Sequence, residues 1–333
     1  MKFSVGYPNH TEGSFFELLS PYLPSIGELY FPWSGISSGR EGFAREDYSA
    51  AEVLERELVR FGESGVRLNL LLNGSCYGGM AISRALAYRV CSLVDHLCER
   101  FGLHAVTTTS PFLAETIKKY FSGIEVRASV NMWIDGISGM RQCLDIFDSF
   151  YVKREYNRCP EEIARQYRFC HENGKKLYLL ANSGCLPNCP YHIFHDNLVS
   201  HEEEVSRTRN DEDYQPYSCR RVLAKPENRY LLLAGNFVRP EDICHYEGIV
   251  DGVKLATRVH FSPVTVIGAY VRGRFPGDLC SLTEPGFGKM LEPYYLDNAA
   301  VPEDFFEKTS SCSRDCAACG YCQTVFNRIK RRS

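Results

Sequence analysis

The stretch LLANSGCLPNCPYHIFHDNLVSH, from Leu179 to His201, decides how the rest of the chain is interpreted. It continues an apolar run that starts at Lys176, so it begins as a buried strand and then becomes a polar loop. Cys185 and Cys189 lie four residues apart in that loop beside two prolines, and three histidines follow. A strand that carries thiols and imidazoles at its carboxyl end is typical of a ligand site on an α/β scaffold. The alternative is a pair of buried thiols beside a surface loop.

Predicted strands and helices alternate on both sides of this stretch. Seven strands are predicted up to Lys176–Ala181, Tyr230–Ala234 is predicted to be the eighth, and Val250–Ala256 is a further candidate. The connections are long enough for right-handed crossovers, which favours a parallel sheet. We therefore predict an α/β fold, a TIM-like (β/α)8 barrel over residues 1–260 followed by a C-terminal Cys-rich extension over residues 261–333.

The second choice of fold is a doubly wound open sheet. No Gly-x-Gly-x-x-Gly follows the first predicted strand, which weakens a dinucleotide-binding fold. After Phe261 several prolines and glycines predict an extended, turn-rich chain.

Composition narrows the class of protein and its compartment. Of the 333 residues 44% are hydrophobic, and the formal net charge of -3 gives no basic field for nucleic acid. No apolar run of about 18 residues is present, so no membrane span is expected, and the N-terminus lacks the apolar region of a signal peptide. With 15 cysteines and no signal peptide, we expect a cytoplasmic protein whose clustered thiols bind metal.

The carboxyl ends of barrel strands converge on one mouth, and four cysteines are predicted to lie there. Cys76 ends the third strand, Cys185 and Cys189 follow the seventh, and Cys219 lies in the long loop after it. Four thiolates would hold a 4Fe-4S cluster or a tetrahedral zinc ion. Should one of the four be wrong, Cys244 and Cys280 are the substitutes.

A second cysteine group closes the chain. The four thiols are spaced C-x3-C-x2-C-x2-C, which is a strong metal signal, and they are Cys312, Cys316, Cys319 and Cys322. The spacing does not decide between an iron–sulfur cluster and zinc. The first three also match the C-x3-C-x2-C of radical-SAM enzymes, but that motif normally opens a barrel rather than following it.

Three short motifs resemble one known family, the collagenase-like proteins of unassigned-peptidase family 32 (U32). They are NSGCLPNCPY at residues 182–191 with His195 downstream, PED at 240–242 with Tyr246 and VKLATR at 253–258, and DCAACGYC at 315–322. The resemblance extends in layout from about Lys2 to Arg274. It implies a TIM-like barrel with an oxygen-sensitive 4Fe-4S cluster held by four cysteines.

The resemblance also implies redox chemistry more than proteolysis. Several U32-like members take part in oxygen-independent hydroxylation of RNA bases or of a quinone precursor, some as heterodimers, and prephenate is an implied oxygen donor for some. The tight Cys185-x3-Cys189 pair is nearer the quinone-pathway branch, where one ligand comes from early in the chain, which supports Cys76 as a ligand.

Our first hypothesis is an iron–sulfur oxidoreductase or hydroxylase with two 4Fe-4S clusters, zinc being the alternative in the tail. It would act on a small-molecule or tRNA-linked substrate and take electrons from a donor protein, and it allows a hetero- or homodimer. The predicted substrate-binding residues are Asn69, Asn73, Asn131, Asn182, Lys254 and Arg258. The predicted catalytic residues are His192, His195, Lys153 and Arg154, and for the cations the alternative is salt bridges between strands and helices.

Two other hypotheses stay open. A peptidase or collagenase-like hydrolase would suit the family name, but no His-Glu-x-x-His helix is present. The third hypothesis is a non-catalytic, metal-stabilised scaffold for another subunit. Metal content separates the first hypothesis from the third.

Overall fold

The structure is a computed structural model that describes residues 1–8, 13–39, 48–208 and 213–333. Eight parallel strands pair in chain order around a closed barrel. They are β1 (Phe3–Gly6), β2 (Ile26–Phe31), β3 (Arg67–Leu72), β4 (Ala105–Thr108), β5 (Glu125–Ala128), β6 (Ser149–Tyr151), β7 (Lys176–Leu180) and β8 (Gly252–Leu255). Because β1 pairs with both β2 and β8, the barrel has no open edge, and the predicted TIM-like fold is confirmed.

Helices surround the barrel and continue into the extension. They are α1 (Phe15–Leu19), α2 (Tyr48–Glu63), α3 (Arg84–Phe101), α4 (Pro111–Tyr120), α5 (Gly136–Arg141), α6 (Pro160–Glu172), α7 (His192–Ser200), α8 (Glu202–Thr208), α9 (Ser218–Ala224), α10 (Pro263–Arg272), α11 (Phe305–Ser310), α12 (Cys316–Cys319) and α13 (Tyr321–Ile329). A short antiparallel pair, β9 (Tyr294–Leu296) and β10 (Lys330–Arg332), completes the extension. In the described residues, none of these helices has the length and apolar character needed to cross a membrane.

Helix α3 shows how local sequence sets these elements. The Ser83 hydroxyl caps its first turn by accepting a hydrogen bond from the backbone N–H of Leu86 at 3.1 Å. Gly102 ends the helix in the left-handed region, with φ at 67°. Between the two caps, Val90 and Leu97 lie on the face buried against the barrel.

The prediction that Tyr230–Ala234 forms the eighth strand is wrong. Pro226–Ala234 is a 3₁₀ helix, and the further candidate, Val250–Ala256, supplies β8. Strand β8 pairs with β7 on one side and β1 on the other, so no barrel edge remains for another strand. Gly252 allows the close pairing, since a Cβ there would lie 3.2 Å from the Tyr178 ring.

The segments on either side of β8 are more helical than the sequence indicated. Helices α7, α8 and α9 occupy the described part of the predicted polar loop, whose residues 209–212 lie outside the described residues. The expectation of extended chain after Phe261 is wrong for α10, whose Val266 and Ile267 are buried in the barrel core. A domain boundary at residue 260 stays a prediction.

A second hydrophobic core joins the extension to the segment between β7 and β8. Leu223, Leu233 and Phe237 come from that segment, and Phe305 and Phe326 come from the extension. Their burial explains why the apolar run at Tyr230–Ala234 does not enter the barrel: its leucines cover the extension instead.

Candidate functional site at the barrel mouth

A buried ionic layer forms the floor of the site inside the barrel. Arg127 on β5 makes two parallel bonds of 2.9 Å to the Glu28 carboxylate on β2 and one of 2.7 Å to Glu125. Burial raises the pKa of Glu28, but the charge and hydrogen bonds of Arg127 outweigh it, so its pKa lies below the usual value. This layer braces opposite sides of the barrel and keeps one carboxylate ionised beneath the mouth.

Two predicted substrate-binding asparagines belong to the scaffold rather than to the mouth. The Asn69 side chain donates to Glu28 at 2.9 Å and accepts from Thr107 at 3.0 Å. The Asn182 side chain donates to the backbone oxygens of Ala256 and Leu282 at 3.1 and 3.0 Å. Both amides are therefore already bound by protein groups, and neither lines the cavity above the ionic layer.

That cavity, with a volume of about 80 Å³, opens at the carboxyl ends of the strands. Its polar and charged walls include Tyr30, Ser38, Asn73, Asn131, Arg154, Cys185, Lys254, Arg258 and Glu284. Four predicted substrate-binding residues and one predicted metal ligand thus share it, together with the predicted catalytic Arg154. Among the described lining residues, three basic side chains against one carboxylate make the cavity suited to an anion.

The cations of the cavity differ in how they are held. Arg258 donates to the Ser38 hydroxyl at 2.8 Å, whereas the Lys254 ammonium lies 4.0 Å from the centre of the Tyr30 ring. Burial lowers the pKa of Lys254 to about 7; Glu28 opposes the shift, and the neighbouring arginines add to it. The amine of Lys254 is thereby brought into the range where it loses its proton near neutral pH.

Arg154 connects the cavity to the first cysteine group. Its guanidinium donates to the Asn131 side-chain oxygen at 2.6 Å, and its other terminal nitrogen lies 3.8 Å from the Cys185 sulfur. Two polar atoms here, Arg154 Nε and Asn73 Oδ1, are buried without a hydrogen-bond partner among the described residues. Buried polar groups normally find partners, so these two atoms indicate room for a ligand.

Three of the four cysteines predicted for the mouth lie near one another. The pKa of the Cys219 thiol is raised by burial first, and the charges of Cys185 and Cys189 add to the shift. The Cys189 sulfur also lies 3.5 Å from the Ser218 hydroxyl on α9. The insertion after β7 therefore brings Cys219 back to the pair that follows the strand.

Cys76 has different neighbours. Its sulfur accepts a hydrogen bond from the Gly78 N–H at 3.4 Å, and a hydrogen bond to His201 lowers the pKa of its thiol. His201 Nδ1 lies 2.8 Å from Glu204. Helix α7, about 13 Å long at 1.5 Å per residue, runs between Cys189 and His201. Ligation by Cys76 stays a prediction.

The remaining predicted catalytic residues are not among the described residues that line the cavity. The His192 ring packs on Trp133 at 4.0 Å, and its Nδ1 lies 3.0 Å from the Cys189 carbonyl oxygen. His195 packs against Tyr217 at 4.8 Å. Lys153 forms a salt bridge of 2.9 Å with Asp135. This pairing fits the alternative in which the predicted cations form salt bridges. Catalytic roles for these three residues stay predictions.

The tail cysteines form a second group, with Cys316 and Cys319 on α12, Cys322 on α13 and Cys312 in the loop before α12. Burial raises the pKa of Cys322 to about 11, with Arg158 opposing the shift and Cys316, Cys312 and Cys319 adding to it. These interactions place the four thiols near one another, as their spacing in the sequence predicted.

A single backbone segment touches both cysteine groups. Arg154 reaches Cys185, and the Glu155 carboxylate accepts from the Asn188 N–H at 3.2 Å, next to Cys189. The Glu155 carbonyl oxygen accepts a hydrogen bond from Arg314, two residues after Cys312. The turn after β6 thus lies between the mouth thiols and the tail thiols.

The donor chemistry of both groups suits an iron–sulfur cluster or zinc, since the donors are thiols. Among the described residues, however, no three cysteine, histidine or acidic side chains are already arranged to hold a metal ion. The substitutes are placed less well: Cys244 is exposed, and burial raises the pKa of Cys280 far above its usual value.

Two residues of the site were not expected from the sequence. Arg127 was not singled out, and only its position opposite Glu28 across the barrel reveals its role. Glu284 reaches the mouth because the extension folds back and pairs at Ser183, about a hundred residues earlier in the chain. No local pattern marks a contact at that separation.

The fold and site define an eight-stranded α/β barrel with a cation-lined, thiol-bearing mouth. The chain is 27% identical over 301 residues to the uncharacterized protease MJ1657 of Methanocaldococcus jannaschii, covering 87% of this chain and 84% of that protein. In structure it is similar to the U32 peptidase Mk0906, with a TM-score of 0.54 and 16% identity over 76% of this chain and 91% of that chain. No family model matches the chain.

These comparisons confirm the resemblance predicted from the three motifs. The structural likeness shows a shared barrel fold, and the sequence relative extends over most of both chains. The chain is thus similar in sequence to an uncharacterized protease and in barrel fold to a U32 peptidase.

Proposed function

We propose that this protein binds a small anionic substrate in the barrel mouth and carries out or supports oxygen-independent, hydroxylation-type redox chemistry with iron–sulfur clusters. The observation that carries the proposal is the contact between Arg154 and Cys185. It connects a cation-lined cavity to a group of three thiols. Substrate and metal would then occupy adjoining parts of one site.

The chain's own residues have separate tasks in this proposal. Cys185, Cys189 and Cys219 would hold a 4Fe-4S cluster, with Cys76 as the predicted fourth ligand. When bound, such a cluster supplies electron transfer. Arg154 and Arg258 would bind a carboxylate or phosphate group of the substrate, and Asn131 keeps the Arg154 guanidinium in position.

The tail cysteines would hold a second cluster, or zinc, next to the Arg154–Tyr156 turn, which Arg314 contacts. The contacts of Glu155 with Asn188 and Arg314 support a relay of electrons from a donor protein through the tail to the mouth. A tRNA-linked substrate and a hetero- or homodimer stay within the proposal.

Iron and sulfide counting on anaerobically purified protein tests the proposal. We expect a brown protein with about eight irons per chain, or about four if the tail binds zinc. In Cys189→Ser we expect the mouth iron to be lost, whereas Cys244→Ser is the matched control because its thiol is exposed. A colourless protein whose two thiol groups both bind zinc would overturn the redox proposal.

A peptidase is the second candidate, because a thiol, an imidazole and a carboxylate are linked by successive contacts in the structure. Cys76, His201 and Glu204 have the residue types of a nucleophile, a base and an orienting acid. Casein digestion by the wild type and by Cys76→Ala tests it. Digestion that depends on Cys76, with unchanged iron content, would favour this candidate, and equal digestion by both proteins would exclude Cys76 as the nucleophile.

A further inference from the structure

Lys254 lies at the carboxyl end of β8 with only 7% of its surface exposed. Its ammonium nitrogen faces the Tyr30 and Tyr151 rings at 4.0 and 5.4 Å, and no hydrogen bond or ion pair from that nitrogen is present among the described residues. Other lysines of the barrel are paired: Lys176 reaches Glu125 and Lys118 reaches Asp148, each at 2.7 Å. A buried amine without a carboxylate partner is costly, so its placement needs a reason beyond packing.

The guanidinium groups that face this amine disfavour its protonated form, whereas the Glu28 carboxylate favours it. Arg127, Arg154 and Arg258 lie around it, and Glu28, the facing carboxylate in the floor, is already bound by both terminal nitrogens of Arg127. Burial acts in the same direction and holds the pKa of Lys254 at about 7. A free amine in a desolvated, cationic pocket is the form of lysine that attacks carbonyl carbons.

We propose that Lys254 is a nucleophilic lysine that forms an imine with a small 2-oxo carboxylate bound in the barrel mouth. The carboxylate would lie against Arg154 and Arg258, which line the same cavity, and the carbonyl would face the Lys254 nitrogen. A cavity of about 80 Å³ holds only a small ligand. This inference rests on the proposed function in one respect, since both place a small anion in this cavity.

The reaction balances without an oxidant or a reductant. The neutral amine nitrogen forms a bond to the carbonyl carbon, the carbon–oxygen bond breaks, and the oxygen leaves as water with the two amine protons. Protonation of the imine nitrogen then makes the adjacent carbon more acidic, because the iminium accepts the electron pair left when a proton departs. The neighbouring guanidinium groups stabilise the substrate carboxylate throughout.

Reductive trapping tests this proposal. The anaerobically purified full chain is incubated with pyruvate as the probe, its cluster spectrum is recorded, and cyanoborohydride is then added. Mass spectrometry and peptide mapping should show an adduct on Lys254 that equals pyruvic acid less one oxygen. Excess lactate, which has the carboxylate but no carbonyl, should reduce the adduct by competing for the cavity, and acetone should give little adduct.

Two variants complete the test. Lys254→Met should lose the adduct, and Lys289→Met, which removes an exposed lysine, should keep it in full. If the adduct in the wild type is spread evenly over exposed lysines or is absent from Lys254, the imine is refuted. This outcome does not depend on whether the variants fold. A cluster spectrum without an adduct refutes this inference alone, and an adduct on Lys254 in a protein without iron refutes the redox proposal alone.

Discussion

At the scale of single residues, the mouth holds polar groups whose placement costs stability. Lys254 is buried beside three guanidinium groups, and Arg154 and Asn73 each keep one buried atom without a hydrogen-bond partner among the described residues. Such costs are tolerated where a ligand compensates them, so they support the proposal that this part of the barrel binds a ligand.

Replacing Lys254 by Met should therefore stabilise the protein at neutral pH. The folded-state pKa of about 7 lies below the ordinary 10.5, so the unfolded state holds the proton more tightly than the folded state. Below pH 7 the amine is protonated in both states, and burial of its charge then lowers the free energy of unfolding by the full amount. We expect a gain of about 1–4 kcal/mol in the free energy of unfolding, reduced by the lost contact with Tyr30. Urea unfolding at pH 7 measures it.

The control for this variant is Lys289→Met, which should leave stability unchanged because Lys289 is exposed. The gain from Lys254→Met should shrink as the pH rises from 7 towards 10.5, where the wild-type amine is neutral in both states. A destabilised Lys254→Met at pH 7 would contradict the account of the cavity.

At the scale of elements, the turn that follows β6 organises the mouth, the extension and the segment before β8. Arg158 is buried and donates to the backbone oxygens of Phe237, Leu233 and Gly235 at 2.9, 2.8 and 2.7 Å. The backbone oxygens of this segment need hydrogen-bond donors, which a neighbouring strand would supply in a sheet. Here Arg158 supplies them. One arginine on the barrel thus holds the segment against which the tail packs.

Removing Arg158 should loosen this segment. In Arg158→Met the three carbonyl oxygens lose their donor, and we expect the free energy of unfolding to fall by about 3 kcal/mol. Arg168→Met, on the exposed face of α6, is the matched control and should change little. Urea unfolding measures both, and equal stability of the two variants would show that Arg158 does not anchor the segment.

The two cysteine groups lie on different elements, so their metal contents should be independent. Cys316→Ser should lose the tail metal and keep the mouth absorbance, whereas Cys185→Ser should do the reverse. Metal analysis and visible spectra of both variants test this. Loss of all metal from either one would indicate a single shared site.

At the scale of the whole molecule, acid should lower the free energy of unfolding over two successive pH ranges. Burial lowers the pKa of His260 to about 4 from the ordinary 6.5, so the unfolded state binds that proton first. Stability should fall by up to about 3 kcal/mol as the pH drops from 6.5 to 4. Below pH 4.5, protonation of Glu28 and Glu125, whose pKa values are lowered in the fold, should remove more.

Thermal unfolding across this range measures the pH dependence. In His260→Gln, the change between pH 6.5 and 4 should largely disappear, while the further loss at lower pH remains. An unchanged pH profile in this variant would show that His260 does not carry the first step.

The sequence by itself determined the alternation of strands and helices, the barrel that follows from it, and the two groups of clustered cysteines. These features are local: each strand, cap and Cys spacing is contained in a short window. Only the tertiary structure decided that Gly252–Leu255 closes the barrel, that Arg127 crosses it to Glu28, and that Glu284 lines the mouth. It also placed Cys76 beside His201. Such pairings depend on which distant segments meet. A local sequence pattern does not show which of two segments will occupy the last strand edge, or which side chain will pair with a buried charge.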